Sequence, residues 1–471
     1  MLHKHSAQYL LASGLPGIVN FLAIALYSRL LSPDEYGRYA LVIAGVGLFN
    51  VVFFQWLRLS LLRFLPAHLE NPKHLLSTLQ FAFIVLSLFT GGLGLLVSWL
   101  WPDPTWKALI LLAVPMLWAQ AWFELNLELV RSRLKPLRYG LMNGIKAVVA
   151  LALGATFVLW GQGSYGPLFG LMLGMLLAAA ICGRMEWEGL SPRITQSILS
   201  EMLSYGLPLT ATFALAFVVS SSDRFLIAWL LGEGPAGVYS ASYDLGQQTL
   251  TLLMVVVNLA AYPLVVRALE QKGVEAAKEQ LLQSCTLLLA IAFPAAVGMA
   301  VLAPNISAVL LGASFREDAA RLLPWVALAI LLAGVRAYYF DLAFQLGRHT
   351  LVQVWVVGAA ALLNIFLNLW WIPYYGLMGA AYATFAAYLL AFLLSAILGK
   401  QVFSMPVPYF NGLKIALASL LMGLPLWLSL KYLGLYALAA QVLVGGMVYF
   451  VLLCLLNVGG YRTGLLRWIF A

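Results

Sequence analysis

The chain has 471 residues, of which 63% are hydrophobic and only 10% charged, and its mean hydropathy is +0.92. Soluble domains carry about 25% charged residues, so this composition cannot coat a globular surface and implies a polytopic membrane protein. The net charge of +9 is what cytoplasmic loops of a membrane protein carry, so no nucleic-acid partner is inferred from it.

Apolar runs near the length of a membrane-spanning helix recur from Tyr9 to Ile469, each long enough to cross about 30 Å of hydrocarbon. A β-barrel would show alternating segments of about ten residues instead. Cutting at Pro, Gly and charge clusters predicts an all-α fold of about 14 transmembrane helices. In chain order these are 8–31, 38–65, 75–101, 106–130, 139–160, 165–183, 203–231, 237–266, 281–303, 320–346, 350–372, 376–399, 409–430 and 434–456. The first run is too long for a signal-peptide core and has no small-residue cleavage site, so it is expected to remain as a membrane helix. Cys182, Cys285 and Cys454 lie in or at the ends of apolar runs and read as small core residues.

An even number of spans puts both termini on one side. Loops on that side include Arg131, Arg133, Lys135, Arg138, Arg184, Arg267, Lys272, Lys278, Arg348, Arg462 and Arg467. The opposite side holds only Arg29, Arg38, Lys107, Arg316, Arg321 and Lys431. By the positive-inside rule both termini are expected in the cytoplasm.

The sequence repeats itself. Leu30-Leu31, Gly37 and Tyr39 match Leu230-Leu231, Gly237 and Tyr239, and the same offset pairs Leu69-Glu70 with Leu269-Glu270. Arg138, Trp160, Tyr165 and Gly166 match Arg348, Trp370, Tyr375 and Gly376, and Gly14-Leu15-Pro16 matches Gly206-Leu207-Pro208. Four matches in one order predict two six-helix lobes, residues 1–200 and 201–402, followed by a helix pair over 403–471. Six is even, so the lobes run in the same sense, as parallel repeats about an axis along the membrane normal. That arrangement predicts a cavity between lobes.

Tyr205-Gly206-Leu207-Pro208, Asp223-Arg224-Phe225-Leu226-Ile227 and Gly237-Val238-Tyr239-Ser240-Ala241-Ser242-Tyr243 resemble the seventh and eighth helices of Wzx-type polysaccharide flippases. Asn364, Asn368 and the run Ile372-Pro373-Tyr374-Tyr375-Gly376-Leu377-Met378-Gly379 resemble the eleventh and twelfth, and Leu31-Ser32-Pro33-Asp34-Glu35-Tyr36-Gly37 is typical of the first lobe. The motifs are specific to a superfamily that also contains multidrug and toxin extruders and the peptidoglycan-precursor flippase. The resemblance implies a V-shaped pair of lobes around a central cationic cavity. It also implies transfer of a polyprenyl-pyrophosphate-linked oligosaccharide from the cytoplasmic to the outer leaflet of a bacterial inner membrane. The last two helices would then flank a groove for the lipid tail.

A pyrophosphate needs cations, and arginine suits it through planar, forked donors. Arg224 lies beside Asp223 within an apolar segment, where each charge costs roughly 2.5–3.5 kcal/mol at the helix centre. No opposite charge stands three or four residues from either, so their partners are a ligand, water or other helices. Arg336 likewise lacks an acidic residue at helical spacing and is either a ligand contact or a strut to a carboxylate. Arg58, with Asn258 as its counterpart in the second lobe, lines a cavity or snorkels. Lys146 and Lys414 read as interfacial anchors.

Coupling to a sodium or proton gradient requires carboxylates, and Asp223, Asp341 and Glu124 are the candidates. Glu128 pairs locally with Arg131. Asn20, Asn258, Asn364 and Asn368 either hydrogen-bond sugar hydroxyls or join helices. Trp99, Trp101, Trp106, Trp370 and Trp371 fall at helix ends, as an interfacial belt does. No nucleophile–base pair, metal cluster or phosphate-cradling glycine loop stands in a credible context, so neither an enzyme nor a cofactor is expected. The expected partners are the lipid-linked oligosaccharide, membrane lipids and, more distantly, a polysaccharide polymerase and glycosyltransferases. Two competing readings remain: a cation-coupled exporter of drugs or metabolites on the same fold, and a non-transporting subunit of a polysaccharide synthase complex.

Overall fold

Long apolar runs without water to satisfy their backbones have to close their hydrogen bonds internally, and helices do so within one segment. The computed structural model, which describes residues 2–68, 72–133, 135–183, 187, 189–347 and 349–460, is accordingly a series of joined helices. Arg184, Arg348, Arg462, Arg467 and the Leu69-Glu70 half of one repeat match lie outside the described residues.

The helices are α1 (Leu2–Leu30), α2 (Pro33–Phe64), α3 (Lys73–Leu100), α4 (Pro104–Ser132), α5 (Pro136–Phe157), α6 (Tyr165–Gly183), α7 (Gln196–Leu231) and α8 (Glu233–Lys272). They continue with α9 (Val274–Val301), the short α10 (Ala303–Leu310), α11 (Arg316–Val335), α12 (Leu342–Leu346), α13 (Thr350–Tyr375), α14 (Leu377–Val402), α15 (Tyr409–Leu428) and α16 (Leu435–Leu455). Among the described residues thirteen helices are long and apolar enough to cross a membrane, and Pro16–Leu30 of α1 is a shorter apolar helix. The fold is therefore all-α, polytopic and bilobal, with the expected order of spans.

The helix ends differ from the expectation for local reasons. The second span begins at Pro33 rather than 38, because Ser32 caps it through a full capping box with Glu35. The fourth starts at Pro104, where Asp103 accepts from the backbone N–H groups of Thr105 and Trp106. Those N–H groups, that of Trp106 foremost, hold the Asp103 carboxyl below the usual carboxylate range. The expected span 320–346 is not one α-helix: a π-helical turn over Arg336–Phe340 separates α11 from α12.

The chain divides into two compact units, residues 1–225 and 226–471. In the first, α5 and α6 pack so closely that their backbones touch. Gly166, Gly170 and Gly174 of α6 face Gly154, Ala150 and the Lys146 carbonyl of α5. Small residues allow such an approach in a membrane, where no hydrophobic force drives helices together. Tyr27 of α1 donates to the Ala150 carbonyl at 3.1 Å and ties a third helix to this pair. In the second unit, Tyr239 and Tyr243 of α8 hydrogen-bond Thr384 and Tyr388 of α14 at 3.1 and 3.0 Å. The terminal pair packs on α9 through a core containing Ile415, Met422 and Leu426, and Tyr449 of α16 donates to the Ala290 carbonyl at 2.8 Å.

The glycine contact makes a direct prediction. A methyl group at Gly170 would sit 2.6 Å from the Ala150 carbonyl oxygen, whereas one at Gly92 meets nothing within 4 Å. Gly170→Ala should lower the melting temperature of the purified protein, at a cost of about 1–3 kcal/mol for overpacking. Gly92→Ala should leave it unchanged.

Candidate functional site

Each unit holds an interior carboxylate gripped by an arginine. In the first unit the carboxylate is Glu124, on α4. Arg58 of α2 forms an ion pair with its Oε2, and both side chains are about one-quarter exposed, at 25% and 24%. Asn50, two turns earlier on α2 and buried, donates to the same Oε2 at 2.7 Å. Gln120, one turn before Glu124, donates to Oε1 at 3.0 Å. Three donors from two helices thus converge on one carboxylate.

In the second unit the carboxylate is Asp341, 1% exposed, at the junction of the π turn and α12. Ser395 of α14 donates to its Oδ1 at 2.7 Å, and Gln353 of α13 donates to Oδ2 at 3.2 Å. Arg336 Nε lies 3.5 Å from Oδ2, an electrostatic contact rather than a well-formed hydrogen bond. The π turn makes this pair. It closes the bond from Asp341 N–H to the Arg336 carbonyl, 2.9 Å, across five residues. A residue five positions on, which a regular helix would carry away, therefore comes back beside the guanidinium. The arginine read as lacking an acidic neighbour has one, at a spacing a regular helix does not offer. The same turn aims Tyr339 at the Pro406 carbonyl in the segment leading to α15.

The structure thus merges two sets of residues that the sequence separates. Arg58 and Arg336 are candidates for anion binding, Glu124 and Asp341 for ion coupling, and they form two pairs. A carboxylate so held is the counter-ion of its arginine, and a proton or metal cation on it would loosen that arginine.

The remaining candidates stand elsewhere. Asp223 is buried and Arg224 half-buried on α7, neither is without a partner, and neither belongs to the Glu124 cluster. Asn364 and Asn368, both buried on α13, are joined to each other at 3.1 Å. Asn258 is half-buried on α8 and Asn20 exposed on α1, and among the described residues neither has a hydrogen bond from its side chain. Asn126, which precedes Arg336 by the same interval that separates Arg138 from Arg348, accepts from Trp187 Nε1 at 2.8 Å and secures the segment after α6. Glu128 contacts Arg131 at 3.5 Å as expected. Among the described residues no three His, Cys, Asp or Glu side chains converge as a metal site would require. Sequence reasoning missed Asn50, Gln353 and Ser395, whose roles depend on which helices pack. Gln120 was visible, one turn from Glu124.

Interior arginine–carboxylate pairs on a bilobal all-helical fold define a polytopic membrane protein with a charged interior. A family model described as "Polysaccharide biosynthesis protein" matches residues 26–320, and the chain belongs to that family. No curated protein matches it in sequence. Among solved structures it is similar to the lipid II flippase MurJ in an inward closed conformation. That match has a TM-score of 0.80 and 16% identity, and covers 95% of this chain and 98% of the other. An inward-facing multidrug resistance MATE family transporter of the MOP superfamily matches with a TM-score of 0.64 and 12% identity, over 84% and 97% of the two chains. A MOP superfamily transporter from Pyrococcus furiosus matches with a TM-score of 0.58 and 12% identity, over 84% and 94%. The resemblance read from the motifs therefore holds at the level of family and fold.

The two pairs are testable as pairs. Glu124→Met should destabilise the protein by about 3 kcal/mol, the cost of leaving Arg58 uncompensated. The double variant Arg58→Met, Glu124→Met should recover most of that loss. Thermal unfolding of the four members of this cycle measures the coupling.

Proposed function

We propose that the protein moves a polyprenyl-pyrophosphate-linked oligosaccharide from the cytoplasmic to the outer leaflet of the bacterial inner membrane, for surface polysaccharide synthesis. Both termini would lie in the cytoplasm, as the loop charges indicate. The observation that carries the proposal is the pair of membrane-embedded arginines, Arg58 and Arg336, each held by a carboxylate rather than by solvent. A cationic drug would want carboxylates presented to it, whereas an anionic head group wants guanidinium forks. Family membership in polysaccharide biosynthesis agrees with a sugar cargo.

The mechanism is an exchange of partners. On entry, the pyrophosphate would compete with Glu124 for Arg58 and with Asp341 for Arg336. Each displaced carboxylate would then lie unpaired in a poorly solvated site, where it takes up a proton or sodium ion. Release of the cargo on the far side would return each arginine to its carboxylate and expel that cation. Transport so coupled runs by alternating access, with Asp223 and Arg224 on α7 as a third charged pair for gating. Asn364 and Asn368 supply amides to sugar hydroxyls. Substrate would come from glycosyltransferases that build the lipid-linked unit and pass to a polymerase.

Cells carrying Arg336→Ala or Arg224→Ala should lose surface polysaccharide at least tenfold and accumulate lipid-linked precursor, with protein levels unchanged. Full polysaccharide in both variants would remove the cationic site from the mechanism. Asp341→Asn should abolish the dependence of export on the ion gradient, checked by following export while an ionophore collapses that gradient.

A further inference from the structure

Lys146 stands apart from the other membrane-embedded cations. It lies on α5, ten residues beyond Pro136, or about 15 Å along the axis at 1.5 Å per residue. That is deeper than an interfacial anchor, the role its sequence position suggests. It also points the wrong way for snorkelling. Leu137, Leu141 and Val148 form the exposed face of α5, at 74%, 55% and 49%, and at about 100° per residue Lys146 is nearly opposite them.

Among the described residues no carboxylate is paired with it there. The helices packed on α5 are α1, α4 and α6. Neither α1 nor α6 contains an Asp or Glu. The two carboxylates of α4 are committed, Glu124 to Arg58 and Glu128 to Arg131. Among the described residues the ammonium has one recorded partner, the ring of buried Phe123, 5.1 Å from its centroid. A ring face returns less than the removal of an ammonium from water costs. Yet the residue as a whole is only half-buried.

We propose that Lys146 is a standing oxyanion site of the first unit, binding an anionic oxygen of the cargo head group without first giving up a carboxylate. The proposal rests on the reading of an anionic, lipid-linked cargo. Arg58 and Arg336 have to be released from Glu124 and Asp341 before they bind, and Lys146 does not. It is therefore the first cation the head group engages, a point charge suited to phosphate or carboxylate oxygen. Pyrophosphate and an acidic sugar both supply such an oxygen, and the test separates them.

The full chain in phosphatidylcholine nanodiscs is titrated with inorganic pyrophosphate in one arm and with glucuronate in the other. Binding in one arm should weaken at least tenfold in Lys146→Met and return to within about threefold of wild type in Lys146→Arg. The arm that responds identifies the source of the oxygen. A second measurement needs no variant: the same anion should slow acylation of Lys146 by an amine reagent at least fivefold. Lys414, which lies near the start of α15 over Phe410, should be unaffected. Equal affinity of wild type and Lys146→Met in both arms, or unprotected acylation, overturns the proposal. If lipid-linked oligosaccharide still crosses the bilayer in that case, the flippase reading survives without Lys146. Wild type that binds neither anion removes both the site and its pyrophosphate basis.

Discussion

A charge placed in hydrocarbon has to be answered by another charge, and the interior of each unit is arranged around one such answer. Glu124 draws Arg58, Asn50 and Gln120 onto itself from α2 and α4. Asp341 draws Arg336, Gln353 and Ser395 from the π turn, α13 and α14. Removing either carboxylate would strand a guanidinium where desolvation is severe, so helix packing and ionic pairing constrain each other. In the proposed mechanism the same pairs serve transport: an anionic cargo replaces the counter-ion, and the replaced carboxylate takes a cation of its own.

Much of the fold was legible because its strongest signal, apolar length, acts on each segment separately. The spans follow from run lengths, and the two-lobe character from matches such as Gly37 and Tyr39 with Gly237 and Tyr239. The ends were less legible, since Ser32 and Asp103 start helices through caps that lie outside the apolar run. The candidate charges were also visible, because any ionisable residue within such a run is conspicuous. Their pairing was not. Arg58 and Glu124 are 66 residues apart and meet only through the packing of α2 on α4. Arg336 and Asp341 are near in sequence but meet through a π turn, which regular helical spacing does not anticipate. Lys146 was misplaced for a similar reason: its depth depends on α5 starting at Pro136, and its direction on which face of α5 is covered.

Glycine and tyrosine do the joining between these charged sites. The α5–α6 contact, backbone against backbone at Gly166, Gly170 and Gly174, fixes the helix that carries Lys146. In the second unit the π turn serves two contacts at once, Arg336 with Asp341 and Tyr339 with the Pro406 carbonyl. These are a few polar contacts within a largely apolar structure, where interhelical hydrogen bonds are each of modest strength.

The central claim is that the protein by itself carries a sugar-bearing pyrophosphate lipid across a bilayer. It is tested most directly in proteoliposomes containing only the purified chain and a polyprenyl-pyrophosphate-linked oligosaccharide. Appearance of the sugar at the outer surface is followed with a membrane-impermeant glycosidase. Transfer should be at least tenfold faster than in protein-free liposomes and should fall to near that background with Arg336→Ala. Transfer no faster than in protein-free liposomes would contradict the account.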